Sequence, residues 1–219
     1  MTDMIVHSIP GSPFGRSVLM ALEEKRMPYR FSPVAPGTLK TDEHLARHPF
    51  GRFPVLQHGD FRVYETQAIL RYLDRVLPEP PLTPPGARVA ARMDQLMNVN
   101  DWYLFQGVAN VIAFQRIVGP RVMGLTTDEA ACAAAMPRAH AVFDVLAREL
   151  GDAAYFAGDT VTLADLMLAP QLDFLSATPE WRPLTAAHPN LGGWMERMNA
   201  RPSMIATTWE RVATLAQAA

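Results

Sequence analysis

Residues 78–86 of this 219-residue chain read Pro-Glu-Pro-Pro-Leu-Thr-Pro-Pro-Gly, with five prolines in eight positions. Proline fixes φ, removes a backbone donor and biases the preceding residue away from the helical region. The helix that approaches this stretch cannot pass through it. Two blocks, residues 1–77 and 88–219, are therefore expected on either side of a stiff proline-rich linker over 78–87. Composition bounds what the blocks can be. Hydrophobic residues make up 49% and charged residues 19%, which excludes an intrinsically disordered chain. Twenty basic residues face 22 acidic ones, for a net charge of −2 with no long like-charge block, so neither nucleic acid nor an anionic membrane is an expected partner. The single cysteine, Cys132, excludes an internal disulfide and a four-cysteine zinc site, and suits a reducing compartment. Met1 to Val6 lack a basic region followed by a long apolar run, and no stretch nears eighteen apolar residues. A cytoplasmic protein is expected.

The apolar period differs across the prolines. Before them, Met4–Ser8 and Tyr29–Val34 read as strands around a helix over 14–26, with Pro33 interrupting the second strand. Val55–His58 and Phe61–Tyr64 flank Gly59-Asp60, a pair suited to a two-residue II′ hairpin. Ile69, Leu73, Val76 and Leu77 then mark one face of a helix. This order predicts a small mixed sheet with helices on its faces. After the prolines the period is 3.6 throughout. Val89, Met93, Leu96, Met97, Asn100, Leu104, Gly107, Val108, Val111 and Ile112 predict one long core-facing helix. Thr126 and Glu129 have the spacing of a capping box for a second helix, which Pro137 is expected to kink or interrupt before Gly151. Thr162 and Asp165 open a third helix, and Leu191–Ala200 form a fourth.

Gly11-Ser12-Pro13-Phe14-Gly15 lies where the first strand turns into the first helix. Ser12 is a good N-cap, with Pro13 at the first helical position, and capping alone accounts for both. The same geometry also serves chemistry. A helix N-terminus offers free N–H groups and partial positive charge, and a thiolate placed there has its pKa lowered. Thioredoxin-like redox proteins carry two cysteines at this turn. Here Ser12-Pro13-Phe14-Gly15 contains none, so the chain cannot run dithiol exchange but can hold an external thiol.

Five segments carry a resemblance that covers nearly the whole chain. They are Ser12 to Leu22, His48-Pro49-Phe50-Gly51-Arg52-Phe53-Pro54-Val55-Leu56, Glu65-Thr66-Gln67-Ala68-Ile69-Leu70, Ala157 to Asp165, and His188 to Ser203. In that order and spacing the chain resembles the soluble glutathione S-transferase superfamily, as a bacterial member nearest to the serine-type phi, theta and zeta classes. The resemblance implies an α/β thioredoxin-like N-terminal domain plus an all-α C-terminal helical domain. It also implies glutathione as co-substrate, no metal, an apolar electrophile in a cleft between the domains, and a homodimer. Ser12 would donate a hydrogen bond to the glutathione thiolate, with the backbone N–H of Phe14 nearby. Phe53 would pair through its backbone with the cysteinyl part, and Pro54 would be a cis-proline. Glu65 and Thr66 would hold the γ-glutamyl end, and Lys40 and Arg52 the glycyl carboxylate. Asp101 would reach the glutathione of the partner subunit. Three positions depart from the family pattern: Ser17 stands where arginine is frequent, Leu39 where phi enzymes often carry histidine, and Phe53 where valine or isoleucine is usual.

Two other features have ordinary structural explanations. His44 and His48 are spaced i, i+4, but the accompanying glutamate of a zinc-protease motif is missing and Pro49 follows directly. Trp102, Tyr103, Phe105 and Phe114 lie on the helix that lines the second-substrate pocket in the family, although core packing is the commoner use of such rings. The alternatives to a transferase are a glutathione-dependent peroxidase, dehalogenase or zeta-type isomerase, a non-catalytic partner-binding protein on the same fold, and a structural dimerisation module.

Overall fold

The computed structural model describes residues 3–217; Met1 and Thr2, part of the stretch read for a leader, lie outside them. The chain groups into two compact units, one formed by residues up to Leu82 with those from Asn199 onward, the other by Thr83–Met198.

The first unit runs β1 (Met4–Ser8), α1 (Pro13–Glu24), β2 (Tyr29–Pro33), a 3₁₀ turn at Pro36–Thr38, α2 (Asp42–Leu45), β3 (Val55–His58), β4 (Phe61–Tyr64) and α3 (Thr66–Val76). The sheet order is β2-β1-β3-β4, with β1 parallel to β2 and the other pairs antiparallel. This is the thioredoxin-like arrangement. All five residues of β1 are buried, as a strand paired on both edges and covered on both faces requires. Pro33 ends β2 rather than breaking it, because β2 is an edge strand where a missing N–H is tolerated. Gly59 has φ 64° at the first central position of the hairpin turn, the conformation a II′ turn demands there. Helix α1 buries Val18, Leu19, Met20, Ala21 and Leu22 and packs on α3. In α3 the buried stripe is Thr66, Ile69, Leu70 and Leu73, whereas Val76 is 40% exposed. The predicted stripe through Val76 and Leu77 fails because Leu77 has left the helix at φ −126°, ψ 76°.

The second unit contains α4 (Ala87–Val99), a wide-turned stretch Asn100–Ala109, α5 (Asn110–Ala113), a second wide-turned stretch Phe114–Val118, α6 (Gly119–Met123), α7 (Glu129–Leu150), α8 (Leu163–Ser176), α9 (Trp181–Thr185) and α10 (Pro189–Asn199). The long helix predicted over 89–112 is broken at Gln106 (ψ 110°) and Gly107 (φ 81°). The Gly107 N–H donates to Asn110 Oδ1 at 2.6 Å, and Arg138 of α7 donates to the Trp102 carbonyl at 3.0 Å. Side chains thus supply partners that an unbroken helix would draw from its own backbone. The cap of α7 is Asp128, whose carboxylate accepts from the Ala131 N–H at 2.9 Å, not Thr126. Helix α7 continues through Pro137 without interruption. At the start of α8 the predicted pair is found: Asp165 accepts from the Thr162 N–H and hydroxyl, both at 2.9 Å. The same carboxylate accepts from Phe156 N–H at 3.0 Å and Trp194 Nε1–H at 2.9 Å. It is fully buried, and burial pushes its pKa up while the four donors pull against that shift.

The chain then returns to the first unit through α11 (Pro202–Ala206) and α12 (Trp209–Gln217). Residues 199–217 were expected in the helical block, because a helical period does not reveal what a helix packs against. Arg201 grips the Glu24 carboxylate at 2.9 and 2.7 Å, and Arg16 of α1 donates to the Met204 carbonyl at 3.0 Å. Burial pushes the Glu24 carboxyl up, but the Arg201 and Ser203 hydrogen bonds prevail and hold it below the usual range. The first part of the proline stretch is likewise docked on this unit. Lys25 Nζ donates to the Pro80 carbonyl at 2.6 Å and to Asp74 Oδ1 at 2.5 Å, and Asp74 also accepts from the Leu82 N–H at 2.9 Å.

Candidate functional site

Strand register decides which connections meet. Ser8 at the end of β1 pairs with Pro33 at the end of β2, His7 pairs with Val55 at the start of β3, and Val55 pairs with Tyr64 at the end of β4. Three connections therefore open at one end of the sheet, the one between β2 and β3 by both of its ends. The first carries Ser12, the second leads from β2 through Lys40 to Arg52, Phe53 and Pro54, and the third holds Glu65 and Thr66. Residues up to 54 positions apart in the chain come to one edge for this reason alone.

Ile9, Pro10, Gly11 and Ser12 form a turn closed by the Ser12 N–H on the Ile9 carbonyl at 3.0 Å. Proline at the second position and glycine at the third, with φ 82°, are what a type II turn selects. Ser12 follows with β-region angles and caps α1, its Oγ accepting from the Gly15 N–H at 3.0 Å. Accepting leaves the hydroxyl proton available for donation. Ser12 is 7% exposed, at the positive end of the helix dipole. Phe14 is half-buried in the first turn of α1, and Ser17 donates to the Pro13 carbonyl at 3.1 Å.

Lys40, Arg52 and Glu65 line one open cavity of about 580 Å³ together with Pro49 and Phe50. Two cationic side chains and one carboxylate face the same space, so the cavity suits a zwitterionic ligand with a carboxylate at one end and an amine at the other. Glu65 stands at φ 69° immediately before α3, and Thr66, its first residue, is buried. Phe53 is half-buried and the Phe53–Pro54 bond is cis. Asp101 lies in the second unit and accepts from the Asn100 amide at 3.0 Å. Trp102 and Tyr103 are 63% and 57% exposed, while Phe105 and Phe114 are half-buried.

His44 has a part that its spacing from His48 did not disclose. Its Nε2–H donates to the Arg52 carbonyl at 2.9 Å from a buried position, tying α2 to the segment before Phe53 and Pro54. The bond spans eight residues of irregular chain, so no sequence pattern signals it. His48 is also buried, packed at a tilt against Tyr64 with ring centroids 4.6 Å apart. Burial, and then the charges of His44 and Arg52, lower its pKa. Among the described residues no group of three or more His, Cys, Asp or Glu side chains could hold a metal ion, and no helix is long and apolar enough to cross a membrane.

The family model for the glutathione S-transferase N-terminal domain matches residues 6–81, and that for the glutathione S-transferase C-terminal domain matches residues 108–202. A glutathione S-transferase of Hyoscyamus muticus is 30% identical over 91% of this chain and 95% of its own length. Glutathione S-transferase 4 of Zea mays is 32% identical over 88% and 86%. These relatives are plant proteins rather than bacterial ones. Among solved structures, glutathione S-transferase-I bound with lactoylglutathione superposes with a TM-score of 0.83 at 30% identity, covering 97% of this chain and 99% of that one. The similarity spans both units and the whole edge on which Ser12, Lys40, Arg52 and Glu65 are gathered, and on that basis the chain belongs to the glutathione S-transferase family.

Proposed function

We propose that this protein is a glutathione transferase of the serine type, with glutathione held along the sheet edge described above. The observation that carries this reading is the shared cavity of Lys40, Arg52 and Glu65, a charge pattern matched to the two ends of the tripeptide. Lys40 and Arg52 bind the glycyl carboxylate, and Glu65 and the N-terminus of α3 at Thr66 bind the γ-glutamyl amine and carboxylate. The Phe53 backbone pairs with the cysteinyl segment by strand addition, with Pro54 turning the chain at the start of β3. This brings the thiol towards the N-terminus of α1.

There the Ser12 hydroxyl, already accepting from Gly15, donates its proton to the sulfur as a hydrogen bond, and the Phe14 N–H and the helix dipole add to the field. The thiol proton passes to solvent. The thiolate forms a carbon–sulfur bond with an apolar electrophile, whose leaving group departs with the bonding pair. The protein lowers the thiol pKa and positions the nucleophile; the electrophile supplies the reactive bond. A homodimer with Asp101 reaching the partner's glutathione, and a cytoplasmic location, belong to the same proposal.

The test is an ultraviolet titration of thiolate absorbance with glutathione bound to the purified protein, followed by conjugation to a chromogenic aryl halide. Thiolate formed well below the range of the free thiol, about pH 8.5, supports the reading. Saturable binding with no such shift, or no binding, overturns it.

A further inference from the structure

We propose that Trp209 is a positioning residue for the turn that presents Ser12, so that the C-terminal helix α12 sets the acidity of the bound thiol. The proposal rests on the reading of Ser12 as the thiolate's hydrogen-bond donor. A Cβ built on Gly11 would fall 2.4 Å from Cδ2, 2.5 Å from Cε2 and 2.8 Å from Cε3 of the Trp209 ring. Atoms at the ring fusion of the indole thus fill the space where any other residue would carry a side chain. Gly11 is the one residue between Pro10 and Ser12, and its φ of 82° aims Ser12 at the α1 terminus. Glycine is also the residue most able to leave such a conformation. The ring packed beside it opposes that.

The segment that carries the ring is anchored to the first unit. Arg16 of α1 donates to the Met204 carbonyl at 3.0 Å and to Thr207 Oγ1 at 3.4 Å, and Thr207 donates to the Ser203 carbonyl at 2.7 Å. The Arg16 N–H donates to the Ser12 carbonyl at 2.8 Å. Val212, one turn beyond Trp209, is buried, and α12 packs on β2. The C-terminal segment is therefore tied to the chain on both sides of Ser12: Trp209 packs on the residue before it, and Met204 and Thr207 accept from the side chain of Arg16, whose N–H bonds the Ser12 carbonyl. Neither contact touches Lys40, Arg52 or Glu65. Loss of the ring should displace the hydroxyl and leave the hold on the tripeptide ends in place, and displacements of about 1 Å at a reacting centre cost up to roughly a hundredfold in rate.

The experiment compares Trp209→Leu and Trp209→Phe with the wild type as full-length proteins. The pH midpoint of bound thiolate, kcat and the KM for glutathione are measured together. The expected result in Trp209→Leu is a thiolate midpoint shifted to higher pH and kcat lower by about tenfold, with KM within about threefold of wild type. Trp209→Phe, which keeps an aromatic face, should recover most of both. An unchanged midpoint and kcat in Trp209→Leu would overturn the proposal, as would a loss of thermal stability with no shift in midpoint and no rescue by Phe. Should Trp209→Leu not fold, fluorotryptophan spectra of the wild type decide, with the Trp209 signal assigned by its absence from Trp209→Phe. Glutathione must shift that signal and leave that of the fully buried Trp194 in place; a stationary Trp209 signal refutes the coupling. A wild type that binds no glutathione removes the transferase reading itself, an outcome visible before any variant is made.

Discussion

Replacing Ser12 with alanine removes two interactions that can be measured separately. The first is the cap: Oγ accepts from the buried Gly15 N–H at 3.0 Å, and an N-cap Ser→Ala change costs about 1 kcal/mol. For a unit of this size that lowers the melting temperature by roughly 4–8 °C. The second is the proposed donation to the thiolate. A hydrogen bond to a charged group contributes about 1.5–3 kcal/mol, which corresponds to roughly 10- to 150-fold in the stability of the thiolate. The bound thiol pKa should accordingly rise by roughly 1–2 units. The sign follows directly. Because the bound thiol is ionised below its free pKa, conjugation rises as pH climbs through the bound value. In Ser12→Ala that rise moves to higher pH. Well below both midpoints turnover falls by the full factor, between them by less, and above both the two enzymes converge. The KM for glutathione changes little, since Lys40, Arg52 and Glu65 are untouched. The assay is the rate of conjugation across pH, paired with a thermal melt. A melt displaced as expected beside an unshifted pH–rate profile would confine Ser12 to capping, and the Gly11 and Phe14 backbone N–H groups would be the next candidates for the thiolate's donor.

Other perturbations separate binding from stability. Lys40→Met and Arg52→Met should each raise the KM for glutathione by roughly tenfold, the worth of one charge-assisted bond, with kcat nearly constant; steady-state kinetics in which kcat falls instead would refute a glycyl-end role. Asp165→Ala leaves the donors of Thr162, Phe156 and Trp194 without their acceptor in the second unit, and should cost about 3 kcal/mol or more by urea unfolding. Acidification should weaken the first unit. His7 and His48 both have pKa values lowered from 6.5, in each case chiefly by burial. Below that value the unfolded chain takes up protons that the folded rings refuse, so stability present at pH 7 is lost as pH falls towards the folded pKa values. His48→Gln should flatten the part of the urea-midpoint curve below pH 6.5; an equally steep curve would acquit His48.

The strand and helix sequence of the first unit was legible because its signals are local. Short apolar runs, the Gly59-Asp60 turn and the Ser12-Pro13 cap each act within a few residues, and the Thr162–Asp165 pair of the second unit does the same. The structure departs from the sequence pattern where a competing local solution exists. Thr126 has the spacing of a cap, yet Asp128 takes the role because its carboxylate directly precedes the helix. Gly107 sits in an unbroken helical period, yet it adopts φ 81° because Asn110 and Arg138 offer the opened backbone other partners. Apolar period records that a position is buried, not that the helix beneath it is continuous.

The candidate site divides along the same line. Ser12, Arg52, Glu65 and Thr66 are candidates for a charged tripeptide because they carry suitable chemistry within segments that resemble the family, and Lys40 is one by its charge and the same resemblance. Their gathering at one sheet edge is a property of strand register, which pairs His7 with Val55 and Val55 with Tyr64. The Arg52 carbonyl held by His44, the return of residues 199–217 to the sheet unit and the Trp209 ring on Gly11 left no trace in any sequence window. The sequence by itself determined the local conformations and the chemical inventory, since both depend on neighbours along the chain. Only the tertiary structure decided which surfaces those elements bury against one another, because long-range packing partners depend on the positions of all the elements at once.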